Sequence, residues 1–313
     1  MTFRTIFFGS PEFAVPSLRA LSDDARFEIA AVVTQPDRTA GRGQRLVEPP
    51  VKSAATERSL PVWQPQTLRS PETVDRLRSV VPDLFVVVAY GEIFRREVLS
   101  IPTYDCLNVH PSLLPKYRGS SPIQATILNG DQTTGVSIIQ IVRKLDAGPI
   151  TAQEQIDLHG DETGGSLSVV LANLAARVLP DAAARWCDGL IEAEPQNDVD
   201  ASITRELTKS DGRIDWTKSA VEIERHVRAY SPWPTAWTTL DGRRLVIHAA
   251  SVSTHSGSGA SGSIELEGRS VLVFCGDGVL ELLEVQPEGR QKMDAAAWWR
   301  GLKSSDPISF EVG

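Results

Sequence analysis

The spacing of apolar and polar residues along the 313-residue chain changes character partway through. Up to about residue 158, short β-branched apolar runs alternate with segments of helical period. The runs are TIFF (Thr5 to Phe8), IAAVVT (Ile29 to Thr34), LFVVVAY (Leu84 to Tyr90), CLNV (Cys106 to Val109) and GVSIIQIV (Gly135 to Val142). They lack polar alternation, which predicts strands covered on both faces and hence a mostly parallel sheet. The segments PPVKSAATERS, SPETVDRLRSV and SSPIQATILNG between them predict helices. This alternation predicts a doubly wound, Rossmann-like α/β sheet.

A long helical stretch follows, GSLSVVLANLAARVLPDAAARWCDGL, and then a polar segment without a clear period. The expected division is a first domain over residues 1–191, a linker over 192–208 and a second domain over 209–313. The second domain opens at GRIDW and holds one helix, AVEIERHVRAY. Its short strands are AWTTL and RRLVIHAASV around an Asp241-Gly242 hairpin turn, then SIELEG, SVLVFCG and VLELLEVQPEG. Five or so short strands predict a small antiparallel β-barrel, OB-like in kind. The Gly/Ser-rich stretch THSGSGASGS is expected to be a mobile loop.

Composition narrows the classes. Hydrophobic residues make up 41% and charged residues 23%, as in an ordinary globular protein. The net charge of −8 argues against a protein held to nucleic acid by bulk positive charge, so any such site must be local. No apolar run approaches the roughly 18 residues that span a bilayer, and no association with a membrane is expected. The start, MTFRTIFFGSPEF, lacks the longer apolar region and cleavage site of a signal peptide. Cys106, Cys187 and Cys275 are odd in number and far apart, which predicts buried thiols and a cytoplasmic protein.

In a doubly wound sheet, ligands bind outside the carboxyl ends of the strands. Asn108 and His110 fall at such an end. Histidine titrates near neutrality and can carry a proton, while asparagine offers a neutral donor to a developing oxyanion. Asp146 leaves another apolar strand, where a carboxylate can orient the imidazole or hold its cation. Each has a structural reading as well: a satisfied histidine, a loop cap and a turn residue. From pattern alone both readings stand. There is no GxGxxG, P-loop, GxSxG elbow or HExxH, and no metal site is expected.

The stretches NVHPSLLPKYRG and GVSIIQIVRKLDAGPI resemble the 10-formyltetrahydrofolate-dependent formyltransferases. That core is shared by members acting on glycinamide ribonucleotide, UDP-sugars and methionyl-tRNA. FFGSPEFAVPSL, VVTQPDRTAGRGQRL and GRIDW with RAYSPWPTAW resemble the methionyl-tRNA branch. The resemblance implies Asn108, His110 and Asp146 as the catalytic set and 10-formyltetrahydrofolate as co-substrate, with initiator methionyl-tRNA as the acceptor. It places the folate against Ala89, Tyr90, Gly91 and Ile93 and the loop of Ser112, Leu113, Leu114 and Pro115. There AYGEIF departs from the AYG-aliphatic pattern of the family through Glu92 and Phe94.

Arg38, Arg42 and Arg45 lie on a glycine-containing loop that, taken alone, reads as a solvated flexible segment. The resemblance turns it into an insertion that enters the acceptor stem, with Lys209 a further contact. The linker usually carries an additional lysine where this chain has Glu206 beside Arg205. Trp216, Trp233 and Trp237 are expected in the core rather than as base-stacking platforms. Arg118 reads equally as structural. A monomer is expected. Two alternatives remain: a folate-dependent formyltransferase acting on a small acceptor, and a non-catalytic RNA-binding protein.

Overall fold

The computed structural model describes residues 2–40, 45–255, 257–302 and 308–312. The first part of the chain runs β1 (Phe3–Gly9), α1 (Val15–Asp23), β2 (Phe27–Val33), β3 (Arg38–Ala40), β4 (Arg45–Val47), α2 (Pro50–Glu57), β5 (Val62–Trp63), α3 (Pro71–Ser79), β6 (Leu84–Val88), α4 (Arg96–Leu99), β7 (Cys106–His110), β8 (Arg118–Gly119), α5 (Pro122–Asn129), β9 (Thr133–Gln140), β10 (Ile150–Asp157), α6 (Gly164–Cys187) and β11 (Ile203–Thr204). Helix starts carry local signals. Pro50 and Pro71 occupy first-turn positions, and the Ser70 hydroxyl accepts from the Thr73 amide.

Seven strands form one sheet in the order β10-β9-β7-β6-β1-β2-β5. The pairs from β7 to β5 are parallel, whereas β9 and β10 are antiparallel additions. A parallel neighbour for β7 would need a crossover helix packed back on the sheet. Here α5 groups by its contacts with the second part of the chain, so the chain re-enters the sheet from the end at which it left. The central strands are buried almost throughout: Ile6, Phe8, Val33, Phe85 and Val87 share one core cluster.

By length and composition alone, α6 could cross a membrane. The run is richer in Ala than an apolar stretch read residue by residue suggests, and it contains Pro180. Leu167, Leu171, Leu174, Ala175, Leu179 and Ala183 are buried at spacings of one to four residues. That stripe marks a core helix.

By contacts the chain divides into two units. One holds residues 1–122, 133–157 and 168–204, and the other holds 123–132, 158–167 and 205–313. The second unit contains α7 (Ala220–Ala229), β12 (Ala236–Leu240), β13 (Arg243–Val252), β14 (Ile264–Glu267), β15 (Ser270–Phe274), β16 (Val279–Pro287), β17 (Met293–Asp294) and α8 (Ala295–Arg300). A capping box of Ser219 and Glu222 starts α7. The strands form an antiparallel sheet in the order β12-β13-β16-β15-β14.

Its two edges are joined by residues 308–312. The Phe310 amide donates to the Gly262 carbonyl beside β14, and the Glu311 amide donates to Thr239 on β12. Phe310 is buried and stacks on Trp216 at 5.1 Å. Trp216 therefore belongs to the core, and its indole N–H reaches the Thr238 hydroxyl.

Phe310→Ala is expected to lower the stability of the second unit by about 3–5 kcal/mol, the range for deleting a buried aromatic ring. Denaturant unfolding followed by tryptophan fluorescence checks it; a loss below about 1 kcal/mol would contradict the closure described.

Candidate active site

The site is built at the carboxyl end of β7. Val87 of β6 pairs with Asn108, and Ser137 of β9 pairs with His110. Asn108 and His110 are two apart on one strand and so share a face of the sheet. Among the described residues, nothing hydrogen bonds to the half-buried Asn108 side-chain amide. His110 is only 4% exposed.

The His110 ring is held at both nitrogens. Nε2 lies 2.8 Å from the Tyr117 carbonyl oxygen, which can only accept, so Nε2 carries a proton. The neutral ring therefore keeps its lone pair on Nδ1, which faces Asp146 Oδ2 at 3.6 Å. Burial pushes the His110 pKa below its ordinary value, while Asp146 and the Tyr117 carbonyl act in the opposite direction. The result is a ring that is neutral at pH 7, with a carboxylate in place to stabilise the cation formed when Nδ1 takes a proton.

Asp146 is itself positioned. Its Oδ2 accepts from the Gly119 amide at 2.8 Å, and its backbone sits at φ +45°. Tyr117 also has positive φ, +62°. Such residues cost on the order of 1–3 kcal/mol each and persist where the surroundings over-determine them. The surroundings do so here: the Tyr117 amide donates to Ser202 Oγ at 2.8 Å, and β8 pairs with β11.

The loop after β7 is pinned from beneath. Ser137 Oγ donates to the Ser112 carbonyl at 2.7 Å and accepts from the Leu114 amide at 3.1 Å. Gln153 donates to the Leu114 carbonyl, and the buried Ser112 hydroxyl donates to the Lys116 carbonyl at 2.6 Å. The Ser112 side chain is thus occupied within the loop, while Leu113 and Pro115 are half-buried and Leu114 is buried.

Ala89, Tyr90, Gly91 and Ile93 follow the end of β6. Ala89 lies two residues beyond the Val87–Asn108 pair. Ala89 and Gly91 have positive φ, and Ile93 is exposed. Tyr90 is buried against Phe8 and Phe94, with a hydroxyl that has no partner among the described residues and a pKa raised by burial. The two departures noted in AYGEIF have structural uses. The Glu92 carboxylate accepts from the Thr67 hydroxyl and the Leu68 amide, and Phe94 fills the core 4.9 Å from Phe8.

The expected cations divide differently. Arg38 is exposed on β3, with Nη2 3.4 Å from Gln35 Oε1. Arg42 and the Arg45 side chain lie outside the described residues. Lys209 is exposed in the second unit, where its carbonyl accepts from the Trp237 indole. There the Arg244 guanidinium lies 4.5 Å over the Trp237 ring, and Trp233 is exposed. Arg205 pairs with Asp211. Among the described residues, no group of three or more His, Cys, Asp or Glu could hold a metal ion.

Sequence reasoning missed the Tyr117 carbonyl, the Gly119 amide, Ser137, Gln153 and Gln196, whose side-chain amide donates to the Asp146 and Gly148 carbonyls. Backbone groups leave no residue-type signal, and Gln196 sits in a polar stretch with no period.

A parallel sheet with a histidine and a carboxylate at its carboxyl edge defines a class, and the comparisons identify it. The chain belongs to the formyl transferase family: residues 3–183 match the formyl transferase domain, and residues 206–303 match the C-terminal domain of formyl transferases. Methionyl-tRNA formyltransferase of Chloroflexus aggregans is 48% identical over 307 residues, covering 97% of this chain and 98% of the relative. A solved N-formyltransferase from Helicobacter canadensis, in complex with folinic acid and dTDP-3-aminofucose, superposes with a TM-score of 0.67 at 18% identity, over 92% of this chain and all of that one. HypX from Aquifex aeolicus, in complex with tetrahydrofolic acid, superposes with a TM-score of 0.63 at 16% identity over 99% of this chain, which spans about half (51%) of HypX. These two likenesses concern the fold.

Gly119 has φ +105°, and a Cβ there would lie 2.2 Å from the Thr204 carbonyl oxygen. Gly119→Ala is expected to cost about 1–3 kcal/mol by forcing β8 from β11. Urea unfolding of the purified variant measures this, and wild-type stability would contradict the tight approach.

Proposed function

We propose that this chain transfers the formyl group of 10-formyltetrahydrofolate to the α-amino group of methionine esterified to initiator tRNA. The observation that carries the reading is the 48% identity to a methionyl-tRNA formyltransferase across both matched domains, 97% of the chain. We assign catalysis to residues 1–191, a connecting role to 192–208 and tRNA binding to 209–313. The protein acts as a cytoplasmic monomer, without a metal and away from membranes.

The chemistry follows from the charges that must move. A free α-amine has a pKa of roughly 7.7–8.0 and must lose a proton to attack the formyl carbon. Attack forms the new C–N bond and a tetrahedral oxyanion. The carbon–nitrogen bond to the folate then breaks, and the leaving folate nitrogen gains a proton. The Asn108 amide supplies a neutral donor to the oxyanion, a contribution typically worth roughly 10²–10³ in rate. His110 Nδ1 takes the amine proton and returns it to the leaving nitrogen, with Asp146 stabilising the intermediate imidazolium. No covalent enzyme intermediate is required.

The folate lies along Ala89, Tyr90, Gly91 and Ile93 and the loop of Ser112 to Pro115. Arg38, Arg42 and Arg45 contact the tRNA acceptor stem, and Lys209 adds a contact from the second unit. Because these are charge contacts, affinity falls with salt. A local cluster of this kind reconciles tRNA binding with a net charge of −8.

The test is single-turnover transfer of labelled formyl from 10-formyltetrahydrofolate, with methionyl initiator tRNA and glycinamide ribonucleotide as parallel acceptors. Transfer to the tRNA supports the reading, and transfer to the small acceptor alone would overturn it. His110→Ala should keep both ligands and lose at least about 10²-fold in rate; near-normal turnover would remove His110 from the mechanism. Arg42→Ala should weaken tRNA kinetics at physiological salt while folate binding holds, and unchanged tRNA kinetics would refute that role.

A further inference from the structure

Two separate segments present the groups around the His110 ring. Residues 117–119 supply the Tyr117 carbonyl to Nε2 and the Gly119 amide to Asp146, and the turn after β9 supplies Asp146 itself. Two side chains join them: Asp198 takes Arg118 on one carboxylate oxygen and Lys144 on the other, and Gln196 makes the link at Asp146 itself. Gln196 Nε2 donates to the Asp146 carbonyl at 2.8 Å and to the Gly148 carbonyl at 2.7 Å. Its Oε1 accepts from Arg118 Nε at 3.0 Å and Nη2 at 2.8 Å.

The orientation of this amide is unambiguous, because a guanidinium only donates and a carbonyl only accepts. Both amide hydrogens and both oxygen lone pairs are used. Arg118 lies between Tyr117 and Gly119, is 3% exposed, and reaches Asp198 Oδ1 at 2.7 Å with its remaining arm. The left-handed Asp146 backbone is therefore tied to the strand that orients both His110 and the Asp146 carboxylate.

We propose that Gln196 is a positioning residue for formyl transfer, acting as a bridge that sets the Nδ1–carboxylate geometry of His110 and Asp146 without touching substrate. The proposal rests on reading that pair as the proton-transferring groups. It gives the polar segment 192–208 a task in the reaction. Glutamine suits it because one planar amide carries two donors and a two-fold acceptor back to back. Glutamate would keep the Arg118 side and set a carboxylate against two carbonyls; lysine or methionine would lose one side or both.

The influences on the His110 ring are burial, the Asp146 charge and the Tyr117 carbonyl. When the bridge is cut, Asp146 and the Tyr117 carbonyl lose their fixed places, and both favour the protonated ring. The ring should then titrate at lower pH, and the limb of the rate profile that it governs should move the same way.

The experiment uses the full-length protein as wild type and Gln196→Met, with histidine rings labelled for NMR and the His110 signal assigned by its loss in His110→Ala. The expected result is a His110 titration displaced to lower pH in Gln196→Met. With it should come a fall in kcat of roughly 10- to 100-fold, the scale of a misplaced catalytic group, while KM for folate and tRNA stays within about twofold. An unmoved titration overturns the proposal, as does a moved titration with wild-type kcat. If Gln196→Met does not fold, Gln196→Glu, which keeps the acceptor for Arg118 and loses both donors to the Asp146 and Gly148 carbonyls, is read by the same two measurements. Should the wild-type protein transfer formyl to no acceptor, the functional reading fails, and the titration comparison still decides whether Gln196 holds the pair.

Discussion

A histidine ring sunk at the end of a parallel strand needs an answer for each nitrogen, and most of the local architecture follows from that need. Water cannot solvate a ring that is 96% buried, so its N–H must find a protein acceptor. The acceptor here is a backbone carbonyl, which fixes the tautomer without introducing a charge. A carbonyl can serve only if the chain beyond it turns back at the right height, and that turn requires a left-handed residue at Tyr117 and a glycine at 119. The buried serines 112 and 137 hold one end of the turn, and residues 196–204 hold the other.

Polar side chains that look functional in a linear reading are often used for support here. Glu92 satisfies the Thr67–Leu68 corner, Ser112 closes its own loop, and Arg118 is consumed by Gln196 and Asp198. Among the described residues, the Asn108 side-chain amide is not taken up in this way.

Elements whose hydrophobic period was strong were legible in the sequence. The runs at Leu84, Cys106 and Gly135, the α7 pattern and the strands after residue 236 lie within a few residues of their observed bounds. The edge strand β10, with its exposed polar face, carried no comparable signal, and neither did the two-residue strands β5, β8 and β11. The antiparallel direction of β9 was hidden because strand direction depends on where α5 packs, which no local pattern encodes. At the site, Asn108, His110 and Asp146 could be singled out by chemistry at strand ends. Their mutual geometry could not, since it is made by amides, carbonyls and a glutamine from a stretch without periodicity.

The closure of the second sheet by residues 308–312 has a consequence for biosynthesis. Its two edges, β12 and β14, are bridged by hydrogen bonds to residues 308–311, and Phe310 completes the stack on Trp216. A ribosome delivers the chain from its N-terminus, so β12 to β16 emerge with both edges unpaired. The Trp216 stack waits for residue 310 to clear the exit tunnel. The first sheet, complete by residue 157, is under no such delay. Vectorial synthesis therefore orders the two units in time, and a nascent chain stalled late would carry a finished first sheet together with a second sheet whose edges are still open.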